Sequence, residues 1–273
     1  SWGHRFHVAL SSFRCNFGRP GACRYLVDAQ SMTNSNMTFT CLVAAWNEAP
    51  RIGCVLEAIS QVEAIERVIV VDDGSTDGTA KIARKLGADV IRIEQNGGKT
   101  AAIVQGLRQV QSGYIVFIDA DLTGLTADDI RALIEPVCRG AVDVTMSLRG
   151  NSPWLWLAIG LDYLTGERVV PLDLIKPHFE QLEALPNFGL EVFLNRLALD
   201  AALKIAVLDW PSVKSPSKAE KRGLMDGVKG DVAMMWDIVK TIGIFECTTQ
   251  IVGLLLSRRA GSTALRSAGR APA

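Results

Sequence analysis

Two aspartates one residue apart, Asp119 and Asp121, follow directly on the apolar run Ile115-Val116-Phe117-Ile118. At a strand end, where the chain bends, this D-x-D spacing turns both carboxylates toward one point. Their mutual repulsion is relieved by a hard divalent cation, which would also neutralise a diphosphate. D-x-D also arises as ordinary helix capping, so it is the apolar run before it that recommends a functional reading. A second acidic segment, Asp72-Asp73-Gly74-Ser75-Thr76-Asp77-Gly78, also ends an apolar run. Its glycines allow a tight turn and Asp77 caps the next helix, which leaves Asp73 unassigned. A carboxylate there can accept from the N–H edge of uracil or guanine, and Asp73 is assigned to base recognition. The segment Asn96-Gly97-Gly98-Lys99-Thr100 contains G-K-T, but the P-loop spacing requires glycine at 93, where the chain has Ile93. A Walker-type cradle is thereby excluded. Lys99, at a helix start, either reaches a nucleotide base or phosphate or is simply solvated.

These residues need elements to hold them. The chain reads as strands at Phe39 to Ala45, Val68 to Val71, Val90 to Ile93, Tyr114 to Ile118 and Val142 to Met146. Helical spacing lies between them, at Pro50 to Val62, Thr79 to Leu86, Lys99 to Val110 and Ile130 to Val137. Such alternation of short, continuously apolar strands with helices predicts an α/β fold, a mostly parallel sheet covered on both faces. Ligands of such sheets bind beyond the carboxyl ends of the strands, where Trp46-Asn47-Glu48, Asp72-Asp73 and Asp119-Ala120-Asp121 all fall. After Gly150 the pattern changes. Trp154, Trp156 and Tyr163 cluster, a turn follows at Thr165-Gly166-Glu167-Arg168, and a helix at about Leu190 to Leu203 leads to one more strand at Ala206 to Trp210. Residues 212–229, rich in Lys, Ser, Gly and Pro, predict a flexible loop, and a last amphipathic helix is expected near Asp231.

Composition narrows the function classes. The 273 residues are 48% hydrophobic and carry 29 Lys+Arg against 29 Asp+Glu. A disordered chain or a nucleic-acid-coating protein would need fewer apolar residues or a large charge excess, so no nucleic acid partner is expected. The longest apolar runs, Trp154 to Leu161 and Ile251 to Leu256, are far shorter than the roughly 18 residues of a membrane span. The six cysteines form no C-x-x-C pair and are read as reduced thiols of a cytoplasmic protein. Residues 1–37 read as an arm; their Arg- and Ser-rich composition also fits an organelle transit peptide. Residues 257–273 read as a mobile basic tail. Between them, 38–256 form the folded domain, with a nucleotide-binding half at 38–148 and an acceptor half at 149–256.

The motifs, in this order, resemble the family 2 glycosyltransferases and their GT-A (Rossmann-like) relatives. The resemblance rests on Leu42-Val43-Ala44-Ala45-Trp46-Asn47-Glu48, Val70 to Thr79, Asn96-Gly97-Gly98-Lys99 and Phe117 to Leu122. It is strong over about 38–146 and weaker to about 221. It implies that Ala44, Trp46, Glu48, Val71 and Asp73 line a nucleoside pocket and that Lys99 closes on the base. It further implies that Asp119, Ala120 and Asp121 hold ribose, diphosphate and Mg²⁺ or Mn²⁺, with Asp119 and Asp121 as metal ligands and Asp121 the principal one. The family's usual Pro and Tyr before Asn-Glu are Ala44 and Trp46 here; Trp46 either flanks the nucleoside or packs as a core indole. Leu164 to Arg168 resembles the family's S-G-x-R turn, and Asn187 to Glu191 its G-[FY]-G-x-E helix start. Arg168 then contacts acceptor or phosphate, and Glu191 becomes an acceptor-side carboxylate and general base. Many relatives place a metal-binding His after the last core strand, but 210–222 contains none; the histidines are His4, His7 and His178. Lys214 and Lys218 occupy that loop, so either they bind phosphate directly or the metal completes its shell with water.

The activity this implies is metal-dependent transfer of a sugar from a UDP- or GDP-sugar to an acceptor, foremost a polyprenyl phosphate. Trp154 to Leu157 would then rest on a bilayer or else pack in the core, and Arg149 and Arg168 would hold the acceptor's phosphate. The alternatives are transfer to a small phosphorylated acid such as 3-phosphoglycerate, and nucleotidyl transfer. The expected partners are therefore a nucleotide sugar and a phosphorylated acceptor, and peripheral membrane contact and a homodimer are both compatible with the sequence.

Overall fold

The structure is a computed structural model that describes residues 37–185, 189–216 and 244–268. Its centre is one seven-stranded sheet in the order β3-β2-β1-β4-β6-β5-β7. The strands are β1 (Phe39–Ala45), β2 (Ile65–Asp73), β3 (Asp89–Ile93), β4 (Tyr114–Phe117), β5 (Val144–Arg149), β6 (Arg168–Pro171) and β7 (Ile205–Trp210). Helices α1 (Ile52–Ser60), α2 (Thr79–Lys85), α3 (Lys99–Leu107) and α4 (Ala127–Cys138) alternate with the first five strands. The apolar runs become buried strands because both faces of the sheet are covered. Leu42, Val71, Ile115 and Phe117 face one apolar cluster, while Cys41, Val43, Val70 and Val116 face the other. Each fully buried Val, Leu or Ile contributes about 1.5–3 kcal/mol. Helix α4 starts on a capping box, with Thr126 and Asp129 each accepting from the other's backbone N–H.

Register decides what meets at the carboxyl edge. Strands β1, β2 and β4 run parallel, with Ala45 opposite Asp72 and Leu42 opposite Phe117. Residues 46–48, 72–77 and 118–121 therefore emerge side by side. Strand β6 was not foreseen from the sequence. It is antiparallel to both β4 and β5, with Phe117 opposite Arg168 and Met146 opposite Arg168. Because it runs the other way, its beginning lies at the edge where its neighbours end, which brings Thr165-Gly166-Glu167 over Asp119. Strands β5 and β7 are parallel, with Arg149 opposite Trp210.

Beyond the strands come α5 (Trp154–Ile159), α6 (Leu172–Ile175), α7 (Phe179–Glu183), α8 (Gly189–Asp200) and α9 (Ile244–Ala268). Of the residues read as a basic tail, 257–268 continue helix α9. Ala, Leu and Arg in that segment are strong helix formers, and Arg258 donates to the carbonyls of Ile159 and Gly160, satisfying acceptors at the end of α5. Residues 212–216, the described start of the expected flexible loop, are pinned instead. Thr123 and Lys214 exchange backbone hydrogen bonds at 2.8 and 3.0 Å, and Val213 is fully buried. The arm at 1–36, Asn187, Lys218 and the helix expected near Asp231 lie outside the described residues.

On α5, Trp156 is buried, whereas Trp154 is 79% exposed, with Leu155 and Leu157 also at the surface. No described helix is long and apolar enough to cross a membrane. Cys41, Cys54, Cys138 and Cys247 are free thiols.

Candidate active site

Lys99 begins α3, and its ammonium stands between two carboxylates brought from distant parts of the chain. Its Nζ lies 2.8 Å from Asp119 Oδ1 and 3.0 Å from Glu191 Oε1, the latter on α8. Burial works against the lysine charge, but Asp119 and then Glu191 outweigh it and raise the pKa above the usual lysine value. Burial likewise pushes Asp119 up, while Lys99 and then Arg149 pull it down, and the net direction is below its ordinary 3.8. The pair is therefore fully ionised near neutrality. With 40% of the Lys99 side chain in solvent, it adds little to stability. Lys99 thus sits on the D-x-D aspartate and the α8 carboxylate rather than alone in solvent. Gly166 passes directly above: a β-carbon there would lie 2.7 Å from either Asp119 oxygen and 2.8 Å from Lys99 Nζ.

Asp121 points to the β7 side. It accepts from Ser215 Oγ at 3.3 Å, and Ser215 is itself gripped by Asn151, whose Nδ2 donates to Ser215 O at 2.6 Å and whose Oδ1 accepts from Ser215 N at 3.3 Å. Ser215 thus occupies the segment where the sequence lacks a histidine. Lys214 beside it is exposed.

A buried polar network backs the cluster. Arg149 donates to Glu167 Oε1 at 3.2 Å and lies 3.7 Å from Asp162. Glu167 is completely buried and also accepts from Ser147 Oγ (2.8 Å) and Thr165 Oγ1 (2.7 Å), while Ser152 Oγ donates to Asp162 at 2.6 Å. Burial opposes the Arg149 charge, but Glu167, Asp119 and Asp162 raise its pKa overall. Asp162 and Glu167 were not picked out in the sequence; two acids within an apolar stretch were the available signal, since buried acids require partners.

Arg168 is 2% exposed, donating Nη1 to Asn195 Oδ1 at 3.0 Å and Nη2 to the Thr165 carbonyl, so it braces the Gly166 turn from within. The antiparallel course of β6 buries its first residue.

On the nucleoside side, Trp46 is 54% exposed, which excludes the packed-core reading. Glu48 is mostly buried and accepts from Arg51 Nε at 2.9 Å. Asn47 adopts a positive φ of 55°, accepts from Thr76 N at 2.9 Å and donates its own N–H to Ser75 Oγ, tying the ends of β1 and β2 together. Ala44 is partly buried at the end of β1. The Val71 and Ala120 side chains are buried in the two apolar clusters, so either residue meets a ligand only through its backbone. Asp73 is 3% exposed, and its carboxylate accepts from Gly97 N and Gly98 N, both at 2.8 Å. His178 lies elsewhere, half-buried with its edge on Phe193.

Among the described residues, no group of three or more His, Cys, Asp or Glu is placed to hold a metal ion. Of the two aspartates read as metal ligands, Asp119 is paired with Lys99, whereas Asp121 accepts from Ser215. The donor set suits an ion held by one carboxylate, Asp121, with phosphate oxygens and water completing its shell, a common arrangement for Mg²⁺.

Residues 40–184 match the profile of glycosyl transferase family 2. The chain is 36% identical over 116 residues to a 4,4'-diaponeurosporenoate glycosyltransferase of Staphylococcus aureus strain bovine RF122 / ET3-1, covering 41% of this chain and 31% of that protein. It thus spans less than a third of the length of the curated relatives it matches. Among solved structures, glucosyl-3-phosphoglycerate synthase from Mycobacterium tuberculosis with phosphoglyceric acid superposes with a TM-score of 0.54 at 25% identity, over 73% of this chain and 78% of that one. The same synthase with Mn²⁺, UDP-glucose and phosphoglyceric acid gives 0.59 at 23% identity, over 85% and 86%, a likeness of fold.

Proposed function

Since the chain belongs to glycosyl transferase family 2, we propose that it transfers a sugar from a nucleotide-diphosphate sugar to a small phosphorylated acid of the 3-phosphoglycerate class. The observation that carries the reading is the convergence of Asp119, Lys99 and Glu191 beneath Gly166 at the carboxyl edge of the sheet. The likeness to a synthase solved with phosphoglyceric acid supports this acceptor over the polyprenyl phosphate favoured by the motifs alone. The family match lends no support to nucleotidyl transfer.

In this reading the nucleoside lies along Ala44, Trp46, Glu48 and the end of β2, with the exposed Trp46 indole as its stacking face. The diphosphate lies over Asp119, Ala120 and Asp121, and the sugar sits beside the Gly166 turn. As the bond between the sugar's anomeric carbon and the diphosphate breaks, its electron pair stays on the leaving phosphate. Mg²⁺ or Mn²⁺ held at Asp121 would stabilise that charge as a Lewis acid. Lys99 holds Asp119 below its ordinary carboxylate value and fixes Glu191 in place by an ion pair. Glu191 takes the proton of the acceptor hydroxyl as the new bond forms, and its neighbour Lys99 orients the carboxylate for it. Lys214, exposed beside Ser215, reaches the acceptor's anionic groups.

Polyprenyl phosphate is the second reading because Trp154, Leu155 and Leu157 are exposed on α5. Radiolabelled transfer from UDP- and GDP-sugars to 3-phosphoglycerate and to a polyprenyl phosphate, with and without Mn²⁺, decides between them. Label in the water-soluble acceptor supports the proposal. Label in the lipid alone selects the second reading, and no transfer with any pair defeats both.

A further inference from the structure

Asp73 was read from the sequence as a base-recognition residue, but its carboxylate is engaged with the backbone that launches α3. Both oxygens accept amide N–H groups, from Gly97 and Gly98 at 2.8 Å each, and the Asp73 carbonyl accepts from Asn96 Nδ2 at 3.2 Å. Gly74, the next residue, packs so tightly on this turn that a β-carbon would lie 2.9 Å from Asn96 N. Gly98 sits at a φ of 90°, open to glycine at little cost, and the next residue is Lys99. The last residue of β2 therefore grips three consecutive residues of the turn, and the fourth delivers its ammonium to Asp119 and Glu191.

We infer that Asp73 is a positioning residue for Lys99: its carboxylate latches the Asn96-Gly97-Gly98 turn and so fixes where the lysine ammonium stands between Asp119 and Glu191. The chemistry favours such a latch. Two short, charge-assisted bonds from consecutive amides define the turn's direction as well as its distance, and a carboxylate beside a helix start is also favoured by the helix dipole. Lys99 reaches its carboxylates through a long, flexible side chain, so a shift at its Cα is felt directly at Nζ. The inference rests on the transfer reading only for its kinetic consequence; the latch itself is a property of the unliganded chain.

The test compares the full chain with Asp73→Asn, Lys99→Met and the double variant. Hydrogen exchange of the unliganded proteins reads the latch: Asp73→Asn should speed exchange at the Gly97 and Gly98 amides by about tenfold or more, while Lys99→Met leaves it within about twofold. Unchanged exchange in Asp73→Asn overturns the inference. With saturating donor and acceptor, Asp73→Asn and Lys99→Met should lower kcat by similar factors, about 100-fold, and the double variant should be no worse than Lys99→Met. Losses that multiply, or a raised donor KM with unchanged kcat, would instead assign Asp73 to the base alone. If Asp73→Asn does not fold, Gly98→Ala strains the same turn while leaving the Asp73 side chain itself unchanged and should show the same coupling to Lys99; losses that multiply there overturn the inference equally. A wild type that folds but transfers no sugar defeats the proposed function, and the exchange measurement still decides the latch.

Discussion

Gly166 runs so close over Asp119 that a single added carbon would press on both oxygens of its carboxylate, at 2.7 Å each. The turn before β6 and the D-x-D segment after β4 therefore share one surface, and the absence of a side chain at 166 keeps it open.

Gly166→Ala tests that contact in isolation, because Gly166 has none of the positive-φ conformations that would make alanine costly for other reasons. The variant should fold with a melting temperature close to wild type, since Lys99 Nζ can swing aside, but lose transfer by about 100-fold through misplacement of Asp119. Full activity in Gly166→Ala would show that the turn and Asp119 do not act on the same substrate.

Lys99→Met makes a pH prediction. Lys99 and Arg149 hold Asp119 below its ordinary value against burial. A carboxyl with a lowered folded-state pKa contributes stability above its unfolded value of about 3.9 and loses it as pH falls through the folded value. Removing Lys99 leaves burial less opposed, so the folded pKa rises and the acid-side loss moves to higher pH. Melting temperatures measured from pH 3 to pH 7 should show the Lys99→Met curve falling earlier than wild type. Superimposable curves would mean that the pair is not formed in solution.

Ser215→Ala tests the support of Asp121. The hydroxyl at 3.3 Å orients the carboxylate without being needed for the fold, because Asn151 holds the backbone of Ser215 independently. Stability should fall by less than about 1 kcal/mol. Mn²⁺ affinity in the presence of UDP, followed by the electron paramagnetic resonance of the free ion, should weaken about tenfold, as expected when a ligand's hydrogen-bond partner is removed. Unchanged Mn²⁺ affinity would separate Ser215 from the ion.

Much of this arrangement is legible in the sequence because its signals are local. Apolar runs ending in Asn47-Glu48, Asp72-Asp73 and Asp119-Ala120-Asp121 state both that strands exist and where their ligand-binding ends lie, and parallel register then brings them together. What stayed hidden depends on distant partners. Strand β6 spans four residues, begins with a buried arginine and ends in proline, so it shows no strand periodicity. Nothing near Arg168 in the sequence announces that Asn195, 27 positions away, takes its guanidinium. The meeting of Lys99 with Glu191 joins residues 92 positions apart. Asp73 shows the same limit: its acidic type was legible, but two amides more than twenty residues away decide what it holds.

The most direct test of the account is sugar transfer by Asp121→Asn, compared with wild type after calorimetry has shown that both fold. The account predicts that the variant melts within a few degrees of wild type, yet loses at least about 100-fold in transfer from the preferred UDP- or GDP-sugar at saturating Mn²⁺. A folded Asp121→Asn chain that transfers sugar at the wild-type rate would contradict it.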